Sequence, residues 1–225
     1  MHVAAAANLR AAFAEIARGF ESQTHIHVVP TIGATAQLAQ QVENGAPVDV
    51  FLAADTQHVD RLIAAGLAEP RTRAIYARGR LVLWAPQRSD ITSLRDLAAP
   101  SVNQVGCARP ELAPYGAAAV QVLKHEGLWN AVEPKLVYGQ SISAAKQFAD
   151  SGNVAAAFTA LSLVFQQPGH YVLIDERLHD PLDQALCTVK QSAQQESAWK
   201  FREFVLGDEG RAVLTRYGYT QPSAR

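Results

Sequence analysis

Four predicted strand-to-helix turns carry small or uncharged residues, and the chemistry they offer is hydrogen-bond donation. They are Ala7-Asn8, Ala34-Thr35, Ala113-Pro114-Tyr115 and Ser141-Ile142. The first N–H groups of a helix have no acceptor within it, and the helix dipole adds partial positive charge, so each turn suits a small anion. One such turn is weak evidence, because every α/β protein has several. Four that face one cleft would form a cage of donors.

The first of these turns follows a run of small residues, Ala4 to Ala7. This run predicts a strand, and the apolar positions after Asn8 predict a helix; they are Leu9, Ala12, Phe13, Ile16 and Phe20. Taken alone, Asn8 is more typical of a residue that caps its helix. In the third turn, Pro114 occupies a position that helix starts favour.

Residues suited to catalysis or metal binding are present, but they form no catalytic motif. His25 and His27 could share one strand face, although two exposed strand histidines are favoured over a metal pair. Asp55 ends the segment that begins near Asp49, and we interpret it as the N-cap of a helix from His58. A solvated acidic loop is expected at Asp175, Glu176, His179, Asp180 and Asp183.

Composition indicates an ordinary globular protein. Of 225 residues, 48% are hydrophobic and 18% charged, and the net charge of −1 offers no basic face for nucleic acid. The longest apolar runs fall far short of the roughly 20 residues that span a bilayer, so we expect a soluble protein. Cys107 and Cys187 lie in apolar segments, and two buried thiols are favoured over a disulfide.

Strand-like and helix-like segments alternate along the chain, which predicts an α/β protein with mostly parallel sheets and flanking helices. A change of pattern near Gly79 indicates a crossing into a second lobe. The extended segment Gln184 to Val189 is expected to end that lobe, and the two helices that follow are expected to cover the first lobe. The predicted lobes are therefore residues 1–78 with 190–225, and residues 79–189, with a ligand cleft between them.

Several segments, in this order, resemble the periplasmic molybdate-binding proteins of ABC transporters: AAAANLRAAFAEIARGF, NGAPVDVFLAAD, RLVLWAP, APYGAAAVQVLKHEGLW and the terminal RYGY. The resemblance covers essentially the whole chain. It implies the type II periplasmic binding-protein fold, two α/β lobes with the second inserted into the first, closing on a tetrahedral oxyanion. It also implies a periplasmic location. The chain itself enters a strand directly after Met1, so either it is cytoplasmic or a signal peptide has been removed.

The resemblance implies a set of ligand-binding residues. Asn8 and Thr35 fall where many family members have Ser, so Asn8 would offer its side-chain amide and backbone N–H and Thr35 its hydroxyl, whereas Ala7 would offer backbone only. Backbone N–H groups of Tyr115 and Ile142 would complete the set. Many members also use a Tyr hydroxyl, for which this chain has Ala160.

The function implied is capture of molybdate or tungstate for delivery to a membrane permease, by a monomer with no catalytic activity, no cofactor, no bound metal cation and no nucleic-acid partner. Three alternatives remain open: a binding protein for sulfate or chromate, the effector-binding domain of a regulator, and an enzyme on the same scaffold. The sequence shows no helix-turn-helix for a regulator. The only group in the four turns suited to enzyme chemistry is the phenol of Tyr115.

Overall fold

The computed structural model describes residues 1–221. Its contacts divide the chain into two compact units. The first contains Met1–Gly79 and the described residues from Asp183 onward, and the second is Arg80–Leu182, so the second is inserted into the sequence of the first. Within residues 1–221, every helix is too short or too polar to cross a bilayer.

The chain alternates between strands and helices for most of its length. The strands are β1 (His2–Ala6), β2 (Val29–Gly33), β3 (Val50–Leu52), β4 (Ala74–Arg78), β5 (Leu81–Trp84), β6 (Val105–Ala108), β7 (Leu136–Gly139), β8 (Ala156–Ala160), β9 (Tyr171–Leu173) and β10 (Asp183–Thr188). The helices are α1 (Arg10–Thr24), α2 (Thr35–Glu43), α3 (Gln57–Ala64), α4 (Pro114–His125), α5 (Trp129–Val132), α6 (Ile142–Asp150), α7 (Gln195–Leu206) and α8 (Asp208–Arg216). Short 3₁₀ turns, including Ala7–Leu9 before α1, join several of them.

The first unit is built on a five-stranded sheet in the order β2-β1-β3-β10-β4. Strands β1, β2 and β3 run parallel, whereas β10 is antiparallel to both β3 and β4. The apolar positions predicted for α1 are all buried. They pack with α7 and α8 in a core where the ring of Phe201 lies 6.1 Å from Phe13 and 5.1 Å from Phe20.

The second unit has its own five-stranded sheet, in the order β7-β6-β8-β5-β9. Strands β6, β7 and β8 run parallel, and β5 is antiparallel to β8 and β9. A buried lysine stabilises this unit, because Lys146 Nζ lies 2.6 Å from Asp150 Oδ2 and the other oxygen of that carboxylate accepts from Trp84 Nε1 at 2.8 Å. Both units therefore combine parallel strands with one antiparallel strand inside the sheet, as expected for an α/β protein.

The segment from Asp183 differs from its predicted place. Residues up to 189 are predicted to belong to the second lobe, but β10 lies in the first unit's sheet between β3 and β4. The bidentate ion pair between Arg78 and Asp183, at 2.6 and 3.1 Å, joins β4 to β10 where the chain leaves the first unit and returns. The predicted strand near His27 is also shifted, since β2 begins at Val29. Strand β9 was not predicted.

Candidate functional site

Two helix starts lie side by side at one edge of the first unit's sheet. Strands β1 and β2 are parallel, and their last residues, Ala6 and Gly33, are paired. Ala7 and Asn8 then open the turn into α1, while Thr35 is the first residue of α2. Because neighbouring strands are about 4.8 Å apart, the donors of these two helix starts are close together. The structure thus brings three of the predicted residues to one edge.

The second unit repeats this arrangement. Ala108 and Gly139 are paired at the ends of β6 and β7, and α4 and α6 begin shortly afterwards. Pro114 is the first residue of α4 and has no N–H, so the N–H of Tyr115 is the first that this helix offers. Ile142 is the first residue of α6. The two backbone donors predicted for this half of the chain therefore lie on adjacent elements.

The helix at Ile142 has a side-chain cap that leaves its first N–H to other acceptors. Ser141 Oγ accepts from Ala144 N at 3.2 Å, and Ser141 O accepts from Ala145 N at 3.0 Å. These bonds use the later N–H groups of the first turn. The N–H of Ile142 precedes them and, by position, has no acceptor within the helix.

The four helix starts share an electrostatic feature. No Asp or Glu lies in the first turn of α1, α2, α4 or α6, nor in the 3₁₀ turn before α1. The first turns of α3, α7 and α8 do contain acidic residues, as helix N-termini commonly do. The partial positive charge at the four starts is therefore not neutralised locally. Each of these helix starts therefore favours an anion and has no carboxylate in its first turn.

Thr35 is buried, and its hydroxyl has a defined partner. Thr35 Oγ1 accepts a hydrogen bond from Ala54 N at 3.2 Å. Ala54 follows β3, the strand beside β1, so this bond ties the start of α2 to the end of a third parallel strand. A hydroxyl has one hydrogen to donate and can accept at its lone pairs. The bond from Ala54 N occupies a lone pair of the oxygen and does not use its hydrogen.

Asn8 does not cap its helix, which corrects the interpretation of this residue taken alone. The residue before the 3₁₀ turn is Ala6, and no side chain makes a capping hydrogen bond there. The Asn8 side chain instead points into the first unit, where Nδ2 donates to Gln184 Oε1 and to the Tyr219 hydroxyl, both at 2.8 Å. The Tyr219 hydroxyl donates back to Asn8 O at 3.0 Å.

A fourth residue extends this buried network. The Tyr76 hydroxyl, which has one hydrogen, lies 2.9 Å from two acceptors, Ala53 O and Gln184 Oε1. Tyr76, Gln184 and Tyr219 are not among the site residues predicted from the sequence. Gln184 is fully buried and therefore needs hydrogen-bond partners, but this burial is known only from the structure.

The histidines and acidic residues considered for other chemistry serve structural roles. His25 is not on a strand; it ends α1 with a left-handed φ of 58°. His27 is also outside the strands and pairs with Glu21 at 2.8 Å. Asp55 lies one residue before the N-cap of α3, Thr56, yet it still accepts from His58 N at 3.0 Å. Among residues 1–221, His, Cys, Asp and Glu form no cluster that could hold a metal ion.

Two further predictions concern residues of low polarity. Ala160 ends β8 at the same edge of the sheet as the starts of α4 and α6, and as an alanine it supplies no side-chain hydrogen-bond donor. Cys107 and Cys187 are buried free thiols, so no disulfide joins them. Burial raises the pKa of each thiol to about 12. The preference for two buried thiols is confirmed.

Comparison with known proteins identifies the family. The family model described as bacterial extracellular solute-binding protein matches residues 1–220. The molybdate-binding protein ModA of Azotobacter vinelandii is 35% identical over 224 residues, covering 97% of this chain and 89% of that protein. ModA of Rhodobacter capsulatus is 33% identical over 217 residues, covering 96% and 86%.

A solved structure agrees with these sequence matches. The periplasmic molybdate-binding protein of Azotobacter vinelandii aligns with a TM-score of 0.94 and 30% sequence identity, covering 99% of this chain and 100% of that one. The resemblance and the fold class predicted from the sequence are confirmed. Because the matches extend over nearly its whole length, the chain belongs to the family of bacterial extracellular solute-binding proteins.

Proposed function

We propose that this protein is an extracytoplasmic substrate-binding protein that captures molybdate or tungstate and delivers it to the membrane permease of an ABC transporter. It acts as a monomer, in the periplasm, and performs no chemistry on its cargo. The observation that carries the proposal is the pair of acid-free helix starts in each unit, in a chain 33% and 35% identical to two molybdate-binding proteins.

The proposed donors in the first unit are Ala7, Asn8 and Thr35, and those in the second are Tyr115 and Ile142. Backbone N–H groups supply most of the hydrogen bonds, and Thr35 adds a hydroxyl. A hydrogen bond to a charged acceptor contributes about 1.5–3 kcal/mol, so a few such bonds bind a dianion without a cationic partner. The dipoles of the helices add to this attraction.

Discrimination among oxyanions follows from the same donors. Hydrogen phosphate carries a proton that would be buried without an acceptor in a site made only of donors, at a cost of about 1–3 kcal/mol. Sulfate carries no such proton and is excluded only by the size of the site. The proposed site therefore rejects hydrogen phosphate because that ion carries a proton, and it rejects sulfate because of the difference in size.

Isothermal titration calorimetry tests the proposal directly. The protein is titrated with molybdate, tungstate, sulfate and phosphate under identical conditions of pH and salt. We expect saturable binding of one molybdate or tungstate per chain and no binding of phosphate. Absence of binding with both molybdate and tungstate would contradict the proposal. Tight binding of sulfate alone would identify a different cargo.

A further inference from the structure

We infer that Tyr219, Gln184 and Tyr76 are positioning residues for the oxyanion site, and that their hydrogen bonds hold the Asn8 side chain in the interior of the first unit. Asn8 then serves the anion through its backbone rather than through its amide group. This inference rests on the proposed function. It assigns a role to three residues that do not belong to the proposed donor set.

The structure provides an acceptor for each hydrogen of the Asn8 side-chain amide. A side-chain amide nitrogen has two hydrogens. Asn8 Nδ2 lies 2.8 Å from Gln184 Oε1 and 2.8 Å from the Tyr219 oxygen, and both distances are typical of direct hydrogen bonds. Each hydrogen therefore has an acceptor inside the first unit, and donating one to an anion would require breaking one of these bonds.

Tyr219 also fixes the main chain of the same residue. Its hydroxyl donates to Asn8 O at 3.0 Å while its oxygen accepts from Asn8 Nδ2. The carbonyl of Asn8 and the N–H of Leu9 belong to one planar peptide group and point in opposite directions. Holding the carbonyl therefore fixes the peptide group that follows Asn8 and limits the movement of the Asn8 backbone, whose own N–H is the proposed donor. The phenol of Tyr219 thus orients both the side chain and the peptide group at this helix start.

Gln184 and Tyr76 make the arrangement rigid. Gln184 Oε1 accepts from Asn8, and the Tyr76 hydroxyl shares its one hydrogen between Gln184 Oε1 and Ala53 O, each 2.9 Å away. All four side chains are at least 96% buried. In such an interior a neutral hydrogen-bond network is strong, and no water competes for its members. Breaking one bond therefore disturbs the orientation of the others.

Nuclear magnetic resonance on the unmodified protein tests which part of Asn8 meets the anion. The chain has five asparagines, so labelling with 15N-asparagine gives a small set of backbone and side-chain cross-peaks. On addition of molybdate we expect a large shift of the Asn8 backbone N–H and little change in its side-chain amide pair. A side-chain shift larger than the backbone shift would overturn the inference.

A matched pair of substitutions tests the positioning role. Tyr219→Phe removes one hydroxyl from the network and keeps the ring. Tyr217→Phe makes the same change two residues earlier, where the ring packs on the same core. Loss of a group that orients a ligand residue costs about 10–100-fold in affinity at metal sites. We expect a loss of that size for Tyr219→Phe and less than about twofold for Tyr217→Phe.

Calorimetry with molybdate and urea unfolding without it are measured on the same samples. Unchanged molybdate affinity in folded Tyr219→Phe refutes the positioning role. A parallel loss in Tyr217→Phe also refutes it, because the effect would then come from general damage to the core. Failure of the unmodified protein to bind molybdate contradicts the proposed function instead, and this outcome is visible before any variant is made.

Discussion

Both hydrogens of the Asn8 side-chain amide are used in bonds inside the first unit. In the proposed set, the Thr35 hydroxyl is then the only side-chain group that donates to the oxyanion. Replacing Thr35 with Val keeps the shape of the side chain and removes the hydroxyl. Two hydrogen bonds are affected. One is the bond that Thr35 Oγ1 accepts from Ala54 N at 3.2 Å, and the other is the proposed bond to the anion.

The expected magnitudes differ for stability and for binding. Leaving the buried N–H of Ala54 without its acceptor should lower the free energy of unfolding by about 1–3 kcal/mol. Loss of a hydrogen bond to a charged acceptor is worth about 1.5–3 kcal/mol. At about 1.4 kcal/mol per factor of ten, that loss weakens molybdate binding by about 10- to 140-fold.

The expected loss of stability does not by itself lower the measured affinity for molybdate. A domain with about 5–15 kcal/mol of stability remains almost entirely folded after losing 1–3 kcal/mol. The measured dissociation constant therefore reports the site itself. Thr35→Ser is the matched control, because it keeps the hydroxyl and loses one methyl group, whose burial is worth about 0.8 kcal/mol.

Titration calorimetry of the wild type, Thr35→Val and Thr35→Ser with molybdate gives the affinities, and urea unfolding of the same proteins gives their stabilities. We expect Thr35→Ser to bind within about threefold of the wild type, a difference of less than 0.7 kcal/mol. Wild-type affinity in Thr35→Val would refute the role of the hydroxyl. An equal loss in Thr35→Ser and Thr35→Val would show that the methyl group, not the hydroxyl, matters.

Two other expectations concern the second unit and the thiols. In Gly116→Ala, the new Cβ would lie 2.2 Å from Ala108 O, so the start of α4 must move away from β6. We expect a loss of about 1–3 kcal/mol in urea unfolding and weaker molybdate binding, and wild-type values for both would contradict this close packing. Because burial raises the pKa of Cys107 and Cys187 to about 12, both stay protonated at pH 8. A thiolate-specific reagent should therefore modify neither in the native protein and both in urea, and rapid native labelling would contradict the burial.

The fold could be predicted from local patterns where those patterns are strong. The helical spacing from Leu9 to Phe20 predicts α1, and the structure buries the five residues that define this spacing. The segment at Asp183 shows what a local pattern does not predict. Its sequence indicates an extended strand, but only its partners β3 and β4 decide which sheet it joins. Strand pairing between residues more than one hundred positions apart leaves no mark in a local pattern.

The candidate site, too, could be predicted only in part. Its helix starts could be predicted, because proline at the first helical position and the lack of acidic residues are local features of the sequence. The partners of Asn8 could not be predicted, because Gln184 and Tyr219 are 176 and 211 residues away. Asparagine at a helix start is most often a cap, and local reasoning favours that role. In the structure, the Asn8 side chain instead donates to two residues that are far away in the sequence.

A site that binds an anion with neutral groups depends on the direction of each donor, because no net positive charge compensates for a poorly aligned hydrogen bond. Backbone N–H groups are oriented by the helices that contain them, and the first turn of a helix is its least constrained part. The 3₁₀ turn at Asn8 is such a place. Buried hydrogen bonds supply the missing constraint, because the Tyr219 hydroxyl accepts from the Asn8 side chain and donates to the Asn8 carbonyl. Under the proposed function, the buried polar groups around Asn8 are therefore as necessary for binding as the donors themselves.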